Sequence, residues 1–185
     1  EPKTYFSILK EIAGSKTSLS ELANALGLER TTLGRYLSTL MELDLIQVLK
    51  PVTGKEKTKN TVYSLKDNYF KFWFKFIYQF KAELDSFDYS SFEKNFKQNF
   101  NTFLGRQFEQ VCVQALKTSK PISFSKIGGW WGHYREESVR KPVEIDAIAI
   151  DEEGKKILFT ECKWKQNVDA GEILKNLKQK TKHVE

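Results

Sequence analysis

The 185-residue chain has few of the residues that build special architectures: two cysteines, four prolines and one methionine. Two cysteines cannot form the disulfide framework of a small secreted domain, which favours a reducing, cytoplasmic location. No stretch approaches the roughly 18 consecutive apolar residues of a membrane-spanning helix, and residues 1–10 have no signal-peptide pattern. The sequence therefore argues against a disulfide scaffold and against a membrane partner.

The balance of hydrophobic and charged residues is that of a globular protein, with an excess of positive charge. Hydrophobic residues make up 40% of the chain, charged residues 29%, and the formal net charge is +6, with an isoelectric point near 9.1. This balance favours a polyanionic partner such as nucleic acid, although the charge is spread along the chain. Aromatic residues reach 14%, which predicts an aromatic core or interface.

Helical patterns run up to both ends of the sequence. Residues 1–3 lead directly into an amphipathic pattern over 4–13, and a last helical pattern over 169–183 ends without a capping residue. We therefore expect a fragment of a longer protein.

The first third of the chain has the signals of a helix-turn-helix. After the helix at 4–13, Ser18 and Glu21 form a capping-box pattern, and Gly27 stands where a helix C-cap is expected. A third helix is predicted to begin near Arg30 after a short turn, which is the spacing that this motif requires. Its predicted apolar face consists of Leu33, Tyr36, Leu37, Leu40 and Leu43.

Two short strands are predicted next, at 46–52 and 61–65, from the alternation of apolar residues. Three helices followed by a hairpin is the order of a winged helix, so residues 1–66 are predicted to form a winged helix-turn-helix domain. Its third helix could enter a DNA major groove while the hairpin tip touches phosphates. The alternative is that this domain docks on protein. The predicted nucleic-acid contacts are Arg30, Thr31, Thr32, Arg35, Lys55, Lys57 and Lys59.

Residues 67–104 differ from what precedes them because they are unusually aromatic. Eight aromatic side chains lie between Tyr69 and Phe80, and a helix with aromatics around its circumference is expected to be buried on more than one side. A further apolar pattern from Phe92 onward predicts one long helix or two abutting helices. We interpret the segment as a helical connector between two domains.

The remaining residues, 105–185, are predicted to form an α/β domain, so that the chain as a whole is α+β. The order is a helix, three strands at 122–127, 143–150 and 156–164, and a final helix at 169–183. The first strand is expected to end at the glycine-rich stretch 128–132. In the final helix the apolar side chains Ile173, Leu174 and Leu177 are predicted to face inward. Its lysines are predicted to face outward: Lys175, Lys178, Lys180 and Lys182.

The residues that indicate chemistry lie on the last two of these strands. Residues two apart in a strand share a face, which groups Glu161 with Lys163, and a tight turn between the strands sets Asp146 beside Glu161. Charge is costly in a half-buried sheet, whereas paired carboxylates suit Mg²⁺ or Mn²⁺. A neighbouring ammonium can steady a hydroxide or a phosphate. The pattern therefore predicts a divalent metal site; the alternative is a salt-bridge ladder across a surface hairpin.

These motifs resemble those of the PD-(D/E)XK nuclease superfamily. The pattern is Glu144-Ile145-Asp146, then Phe159-Thr160-Glu161-Cys162-Lys163-Trp164, with Glu109 in the preceding helix. The whole chain is also similar to the C-terminal region of archaeal DEXX-box ATPases, a family of unknown function in which a winged helix follows the ATPase and a nuclease-like domain ends the protein. The stretch Gly128-Gly129-Trp130-Trp131-Gly132 contributes to that similarity.

The resemblance implies a fold, a cofactor and a role for each residue of the motif. It implies a restriction-endonuclease-like core at 105–185 that lacks its final strand. Asp146 and Glu161, with the backbone carbonyl of Cys162, would hold Mg²⁺ or Mn²⁺. Lys163 would assist the attacking water, and Glu109 would support the metal or its water.

The expected activity is then metal-dependent hydrolysis of DNA phosphodiester bonds. The resemblance also implies an N-terminal ATPase domain of the same protein as a partner. ATP would act only through that domain, because the phosphate-binding pattern G-x-x-x-x-G-K-[ST] does not occur in this sequence. The alternatives are a catalytically silent DNA-binding or sensor module of the ATPase and a protein-interaction module.

Overall fold

The computed structural model divides into two units, which we describe in turn. The first comprises Glu1–Leu49 with Thr61–Phe100, and the second comprises Lys50–Asn60 with Asn101–Glu185. Within these ranges the described residues are 2–54, 60–119, 121, 123–153 and 155–184.

The first unit begins with three helices whose ends follow local sequence signals. They are α1 (Pro2–Ala13), α2 (Leu19–Leu26) and α3 (Arg30–Glu42). At the start of α2, the amide of Glu21 donates to Ser18 Oγ at 3.2 Å, and the amide of Ser18 donates to Glu21 Oε2 at 2.9 Å. Gly27 ends α2 at φ 63°, a left-handed conformation that glycine adopts without steric cost. The predicted capping box and C-cap are confirmed.

A two-stranded antiparallel sheet follows the helices. Strand β1 (Ile46–Leu49) pairs with β2 (Val62–Leu65), and Ile46 lies opposite Leu65. The order of elements matches the predicted winged helix, but the predicted strands were too long. Strand β1 ends at Leu49 instead of Val52.

The core of the first unit is apolar. Leu43, predicted to lie on the buried face of α3, is 61% exposed, so that prediction was wrong. Its place at the C-terminal end of α3, after the last helical turn, carries it away from the face that the other leucines share. Its main buried cluster consists of Ile8, Ile12, Leu22, Ala23, Leu33, Leu37, Leu40, Ile46, Leu65 and Phe74. Phe76 is also buried in this unit.

The aromatic segment of this unit is helical but irregular. It runs through α4 (Asn68–Phe72), a π-helical turn (Trp73–Ile77), a 3₁₀ turn (Tyr78–Phe80) and α5 (Lys81–Asp85). Its side chains pack in two directions, as the sequence predicts. Phe74 contacts Phe6 of α1, and Phe76 contacts Phe96 and Phe100 of the next helix.

Helix α6 (Ser90–Ser119) is one continuous helix, and its residues from Asn101 onward belong to the second unit. The second unit also contains an antiparallel sheet in the order β3-β4-β5. Its strands are β3 (Lys126–Glu136), β4 (Val139–Asp151) and β5 (Lys156–Thr160).

Strand β3 lies further along the chain than the sequence predicted. Glycines are poor strand formers, and Gly128 to Gly132 were expected to end the strand; they instead lie inside β3. The register with β4 shifts between Gly128 and Trp130, as at a β-bulge. A Cβ at Gly132 would come within 3.0 Å of the Trp130 ring, so this glycine makes room for the ring.

Helix α7 (Ala170–Thr181) packs against the sheet and begins at the N-cap Asp169, which accepts from the amides of Gly171 and Glu172. Leu177 is buried on it, but Leu174, predicted to face inward, is 56% exposed. Leu177 belongs to the apolar core of the second unit, together with Trp130, Val143, Ile145 and Ile148.

The segment before β2 contacts strand β3 within the second unit. The amide of Val52 donates to the carbonyl of Gly129 at 2.9 Å, and Trp130 Nε1 donates to Thr53 Oγ1 at 3.1 Å. Asn60 Nδ2 donates to the Trp131 carbonyl at 3.0 Å. These partners explain why residues 50–52 do not extend strand β1.

Candidate functional site

Helix α3 presents a polar face opposite its buried leucines. Arg30, Thr31 and Arg35 are exposed, and Thr32 is partly exposed. Leu33, Leu37 and Leu40 are buried on the other side, and a helix repeats its faces every three to four residues. Thr31 and Arg35 lie on the face opposite the leucines, whereas Arg30 precedes Leu33 by three positions and is exposed at the N-terminal end of α3. Together they offer two guanidinium groups and a hydroxyl group, which are donors suited to phosphates and base edges.

The other predicted nucleic-acid contacts are three lysines of the hairpin tip. Lys55, Lys57 and Lys59 lie outside the described residues. The face of α3 is flanked by exposed acids, Glu29 before it and Glu42 at its end, which reduces its net positive charge.

The predicted site residues of the second unit come from three places in the chain. Glu109 lies in α6, Asp146 lies in β4, and Glu161 and Lys163 follow the last residue of β5. Because Ala147 pairs with Thr160, Asp146 and Glu161 are the next positions along the same pair of strands.

Asp146 is held by the backbone that follows β5. The amide of Cys162 donates to Asp146 Oδ2 at 2.6 Å. Burial raises the pKa of Asp146, and Glu161 raises it further, while this hydrogen bond and the nearby lysines act against the shift. Strand pairing thus sets Asp146 beside Glu161, and a hydrogen bond from the backbone amide joins Cys162 to Asp146.

Glu161 accepts from two ammonium groups. Lys163 Nζ donates to Oε1 at 2.5 Å, and Lys180 Nζ donates to Oε1 at 3.0 Å and to Oε2 at 2.7 Å. The Glu161 side chain is only 9% exposed. Although burial raises the pKa of this carboxyl, the hydrogen bonds from Lys163 and Lys180 outweigh it and leave the pKa below its ordinary value.

Lys180 is the site residue that sequence reasoning missed. The sequence predicted only that Lys180 would face outward with the other lysines of α7. Lys180 follows the buried Leu177 by three positions, and residues three apart share a helix face. That spacing was the available signal; the contact with Glu161, 19 residues away, needs the tertiary structure.

The electrostatic environment of Glu109 is the opposite of that of Glu161, because acids lie near it. Burial, together with the negative charges of Asp146 and Glu144, raises the pKa of Glu109 to about 7, while Arg106 and Lys163 act against the shift. The second unit therefore places Glu109 within electrostatic reach of Asp146, which in turn interacts with Glu161. Glu109 is the one whose charge is least compensated.

The two cysteines lie next to this group. Burial and a hydrogen bond with the Cys112 thiol raise the pKa of Cys162 to about 12, and the negative charges of Asp146 and Glu109 contribute. A thiol of this kind stays protonated at neutral pH and is a poor nucleophile.

The donor chemistry of the cluster suits a hard divalent cation. Its side-chain ligands are carboxylate oxygens, and Mg²⁺ is commonly held by one or two carboxylates while it keeps several waters. The unbalanced negative charge at Glu109 and Asp146 is what such a cation would relieve. Across the described ranges, no group of three or more His, Cys, Asp or Glu is arranged to hold a metal. A cation held here would therefore rest on two carboxylates and not on a three-residue cage.

Comparison with known proteins gives matches to two family models. Residues 6–49 match the IclR helix-turn-helix domain, a class of DNA-binding domain. Residues 73–180 match the family described as archaeal and bacterial proteins of unknown function, and the chain belongs to that family.

The chain is also similar to an uncharacterized protein of Methanocaldococcus jannaschii. The two are 36% identical over 192 residues, which cover 100% of this chain and 41% of that protein. The chain thus spans about two fifths of the length of this relative. No solved structure matches the chain, and none of the helices in the described ranges has the length and apolar character needed to cross a membrane.

Proposed function

We propose that the chain binds duplex DNA through helix α3. The observation that carries this proposal is the IclR-type helix-turn-helix match over residues 6–49, whose third helix has Arg30, Thr31 and Arg35 exposed. In this class of motif the second helix of the pair enters the major groove, with its N-terminal residues on the bases. Arg30 begins α3, and Arg35 lies about one and a half turns further along it.

Fluorescence anisotropy of a labelled duplex, titrated at several salt concentrations, tests this part. Replacing Arg30 and Arg35 together by alanine should weaken binding about tenfold or more. It should also reduce the slope of log affinity against log salt by about 1 for each phosphate that the variant no longer neutralises. The matched control replaces two exposed lysines of α6, Lys94 and Lys117. Equal weakening in both variants would mean that net charge, and not α3, governs binding.

We propose further that the acidic cluster of the second unit is a PD-(D/E)XK-like site that hydrolyses phosphodiester bonds with Mg²⁺ or Mn²⁺. Asp146 and Glu161, with the Cys162 carbonyl, would hold the cation, and Glu109 would support it. Bound there, the cation supplies Lewis-acid stabilisation of the charge that develops at phosphorus. The convergence of Asp146, Glu161, Lys163 and Glu109 from distant parts of the chain supports this proposal.

In this reaction an oxygen–phosphorus bond forms from water, and the bridging phosphorus–oxygen bond breaks. The proton of the water passes to solvent, and the departing oxygen ends as a hydroxyl group. Lys163 holds its ammonium beside Glu161, where it can orient the water or a non-bridging phosphate oxygen. The half-buried setting of the carboxylates strengthens each of these charge interactions relative to bulk water.

Incubation of plasmid DNA with the full chain and Mg²⁺ or Mn²⁺ tests the hydrolysis. Asp146→Asn and Glu161→Gln should each reduce cleavage by a factor of about 100 or more. The control Glu152→Gln removes an exposed acid that pairs with Lys126 and should leave cleavage unchanged. Cleavage that persists in both site variants would assign the activity to a contaminant or to another site.

A second candidate is a DNA-binding module without catalysis. The double pairing of Glu161 with Lys163 and Lys180 favours it, because this carboxylate already has partners. Salt-sensitive DNA binding with no metal-dependent cleavage would select this candidate. Absence of DNA binding even at low salt would select a protein-interaction module instead.

For the longer protein, we propose an ATPase domain on the N-terminal side of this chain. The resemblance to archaeal DEXX-box ATPases supports it, and the relative from Methanocaldococcus jannaschii is long enough to contain such a domain. ATP hydrolysis by the purified longer protein, stimulated by DNA, is the measurement that tests this partner.

A further inference from the structure

Lys180 makes the best-defined side-chain contact of the acidic cluster. Its Nζ lies 2.7 Å from Glu161 Oε2 and 3.0 Å from Oε1, so it bridges both oxygens of the carboxylate. The Lys180 side chain is 32% exposed and the Glu161 side chain is 9% exposed. A pair this well shielded from water is screened much less than a surface ion pair.

This contact uses the oxygens that a divalent cation would need. Lys163 also donates to Oε1, so two ammonium groups share one carboxylate. A hard cation that binds Glu161 must take at least one of these oxygens, and its charge would repel an ammonium at the same place. Cation binding and the bidentate Lys180 contact therefore exclude each other.

Lys180 also borders a groove in which its ammonium can bind a partner other than Glu161. The groove has a volume of about 730 Å³, and its other charged residues include Arg135, Lys182, Glu136 and Glu144, with the amides of Asn176 and Gln179 beside them. Glu136 is already paired with Lys141, so cations outnumber the remaining acid. An ammonium that leaves Glu161 can pair there with a phosphate of a nucleic-acid strand, so that neither the lysine nor the phosphate stays unpaired.

We propose that Lys180 is a positioning residue that occupies Glu161 in the cation-free protein and transfers to a substrate phosphate when the cation binds. This inference rests on the proposed metal site and describes its regulation. It has two consequences: Lys180 lowers the affinity of the free protein for a divalent cation, and it makes the binding of cation and nucleic acid mutually favourable.

Titration of the full chain with Mn²⁺, followed by isothermal calorimetry or by the electron paramagnetic resonance of free Mn²⁺, tests the first consequence. Lys180→Gln should bind Mn²⁺ about tenfold more tightly than the unchanged chain. Lys180→Arg should bind it more weakly, because a guanidinium fork pairs a carboxylate more firmly. The matched control is Lys178→Gln, an exposed lysine on the same helix, which should leave Mn²⁺ affinity unchanged.

Opposite shifts in the two Lys180 variants would support the inference, because a loss of structure would weaken binding in both. Melting followed by circular dichroism in EDTA verifies folding, and Lys180→Arg keeps the test valid if Lys180→Gln unfolds. Unchanged or weaker Mn²⁺ binding by a folded Lys180→Gln would overturn it.

Two further variants separate this inference from the proposed function. If Asp146→Asn and Glu161→Gln leave Mn²⁺ binding unchanged, the metal site itself is wrong and the inference fails with it. If those variants abolish binding while Lys180→Gln changes nothing, only the role of Lys180 is wrong.

The second consequence is measured as coupling. Mn²⁺ affinity is determined with and without a saturating short oligonucleotide, at a temperature and time where cleavage products are absent. The oligonucleotide should raise Mn²⁺ affinity several-fold in the unchanged chain and less in Lys180→Gln. Equal coupling in both proteins would contradict transfer of Lys180 to a phosphate.

Discussion

The two units of this chain are organised in contrasting ways. In the first, the helix-turn-helix is specified by neighbours in sequence: Ser18 with Glu21, then Gly27 at the end of α2. In the second, the acidic cluster joins Glu109, Asp146 and Lys180 across long stretches of chain. Local capping therefore defines α2 of the helix-turn-helix, whereas the acidic cluster forms only after the sheet and α7 have packed.

The units also differ in the interactions at their centres. The first buries apolar side chains, and among the described residues no polar or charged residue is fully buried. The second holds half-buried acids whose pKa values move apart, Glu109 upward and Glu161 downward. Stability in the first unit should therefore respond to side-chain volume, and in the second to pH and to charge. Four sets of substitutions test this contrast.

The largest expected effect is in the apolar core of the first unit. Leu40→Ala should lower the free energy of unfolding by about 2–5 kcal/mol, because it removes a side chain that is 1% exposed and leaves a cavity. The control Leu43→Ala, at a residue 61% exposed, should change it by less than about 0.5 kcal/mol. Urea unfolding followed by circular dichroism measures both, and similar decreases would contradict the burial pattern.

In the second unit, Glu109→Gln should flatten the pH dependence of stability. Folding raises the pKa of Glu109 from 4.5 to about 7, so the folded state binds the proton more tightly than the unfolded state. This contribution is fully present below about pH 4.5 and is lost as the pH rises through about 7. The side chain is only half-buried, so solvent screening keeps the effect small. Relative to the unchanged chain, Glu109→Gln should have a free energy of unfolding about 1 kcal/mol more favourable at pH 8 than at pH 4.

Urea midpoints across this range, measured in EDTA, test the prediction. The control is Glu93→Gln, which removes an exposed acid at the start of the same helix, where it pairs with Lys97. Parallel profiles for Glu109→Gln and the unchanged chain would show that Glu109 does not titrate in this range.

Helix caps offer a matched comparison of smaller size. Ser18→Ala in the first unit and Asp169→Ala in the second should each lower the free energy of unfolding by about 1 kcal/mol, because each leaves amides of the first helical turn without a partner. Only Asp169→Ala should also change Mn²⁺ affinity, since α7 carries Lys180. An equal effect of both variants on Mn²⁺ binding would argue that the units are not independent.

The smallest effect concerns two glycines of the helix-turn-helix. Gly34→Ala should raise the free energy of unfolding by about 0.5–1 kcal/mol, because Gly34 lies inside α3 and no heavy atom lies within 4 Å of an added Cβ. Gly27→Ala should lower it by about 1 kcal/mol because φ is 63° there. Thermal melting in the absence of DNA measures the stability change of both variants. A change in the same direction for both would contradict the conclusion that local backbone conformation determines stability at these two positions.

Much of the fold was predictable because its signals are short-range. The capping box, the C-cap glycine, the order of elements and the adjacency of Asp146 and Glu161 follow from residues a few positions apart or from one tight turn. The course of β3 through Gly128 to Gly132 was not predictable, because intrinsic strand preference argues against it. That strand exists because β4 pairs with it and Val52 and Asn60 bond to its backbone.

The candidate site was predictable only in part, for a related reason. Strand alternation placed Asp146 near Glu161, but it could not show that Lys180 bonds to Glu161 or that Glu109 is raised toward a neutral pKa. Hydrogen bonds and desolvation depend on which distant surfaces meet, and a sequence pattern carries no distances between segments.

By itself, the sequence determined the helix-turn-helix, because capping and helical periodicity act between residues one or two turns apart. It also determined that Asp146 and Glu161 would lie side by side where the last two strands pair. Only the tertiary structure decided which carboxylate is neutralised by lysine and which retains its proton near neutral pH, because the free energy of a buried charge depends on every group packed around it.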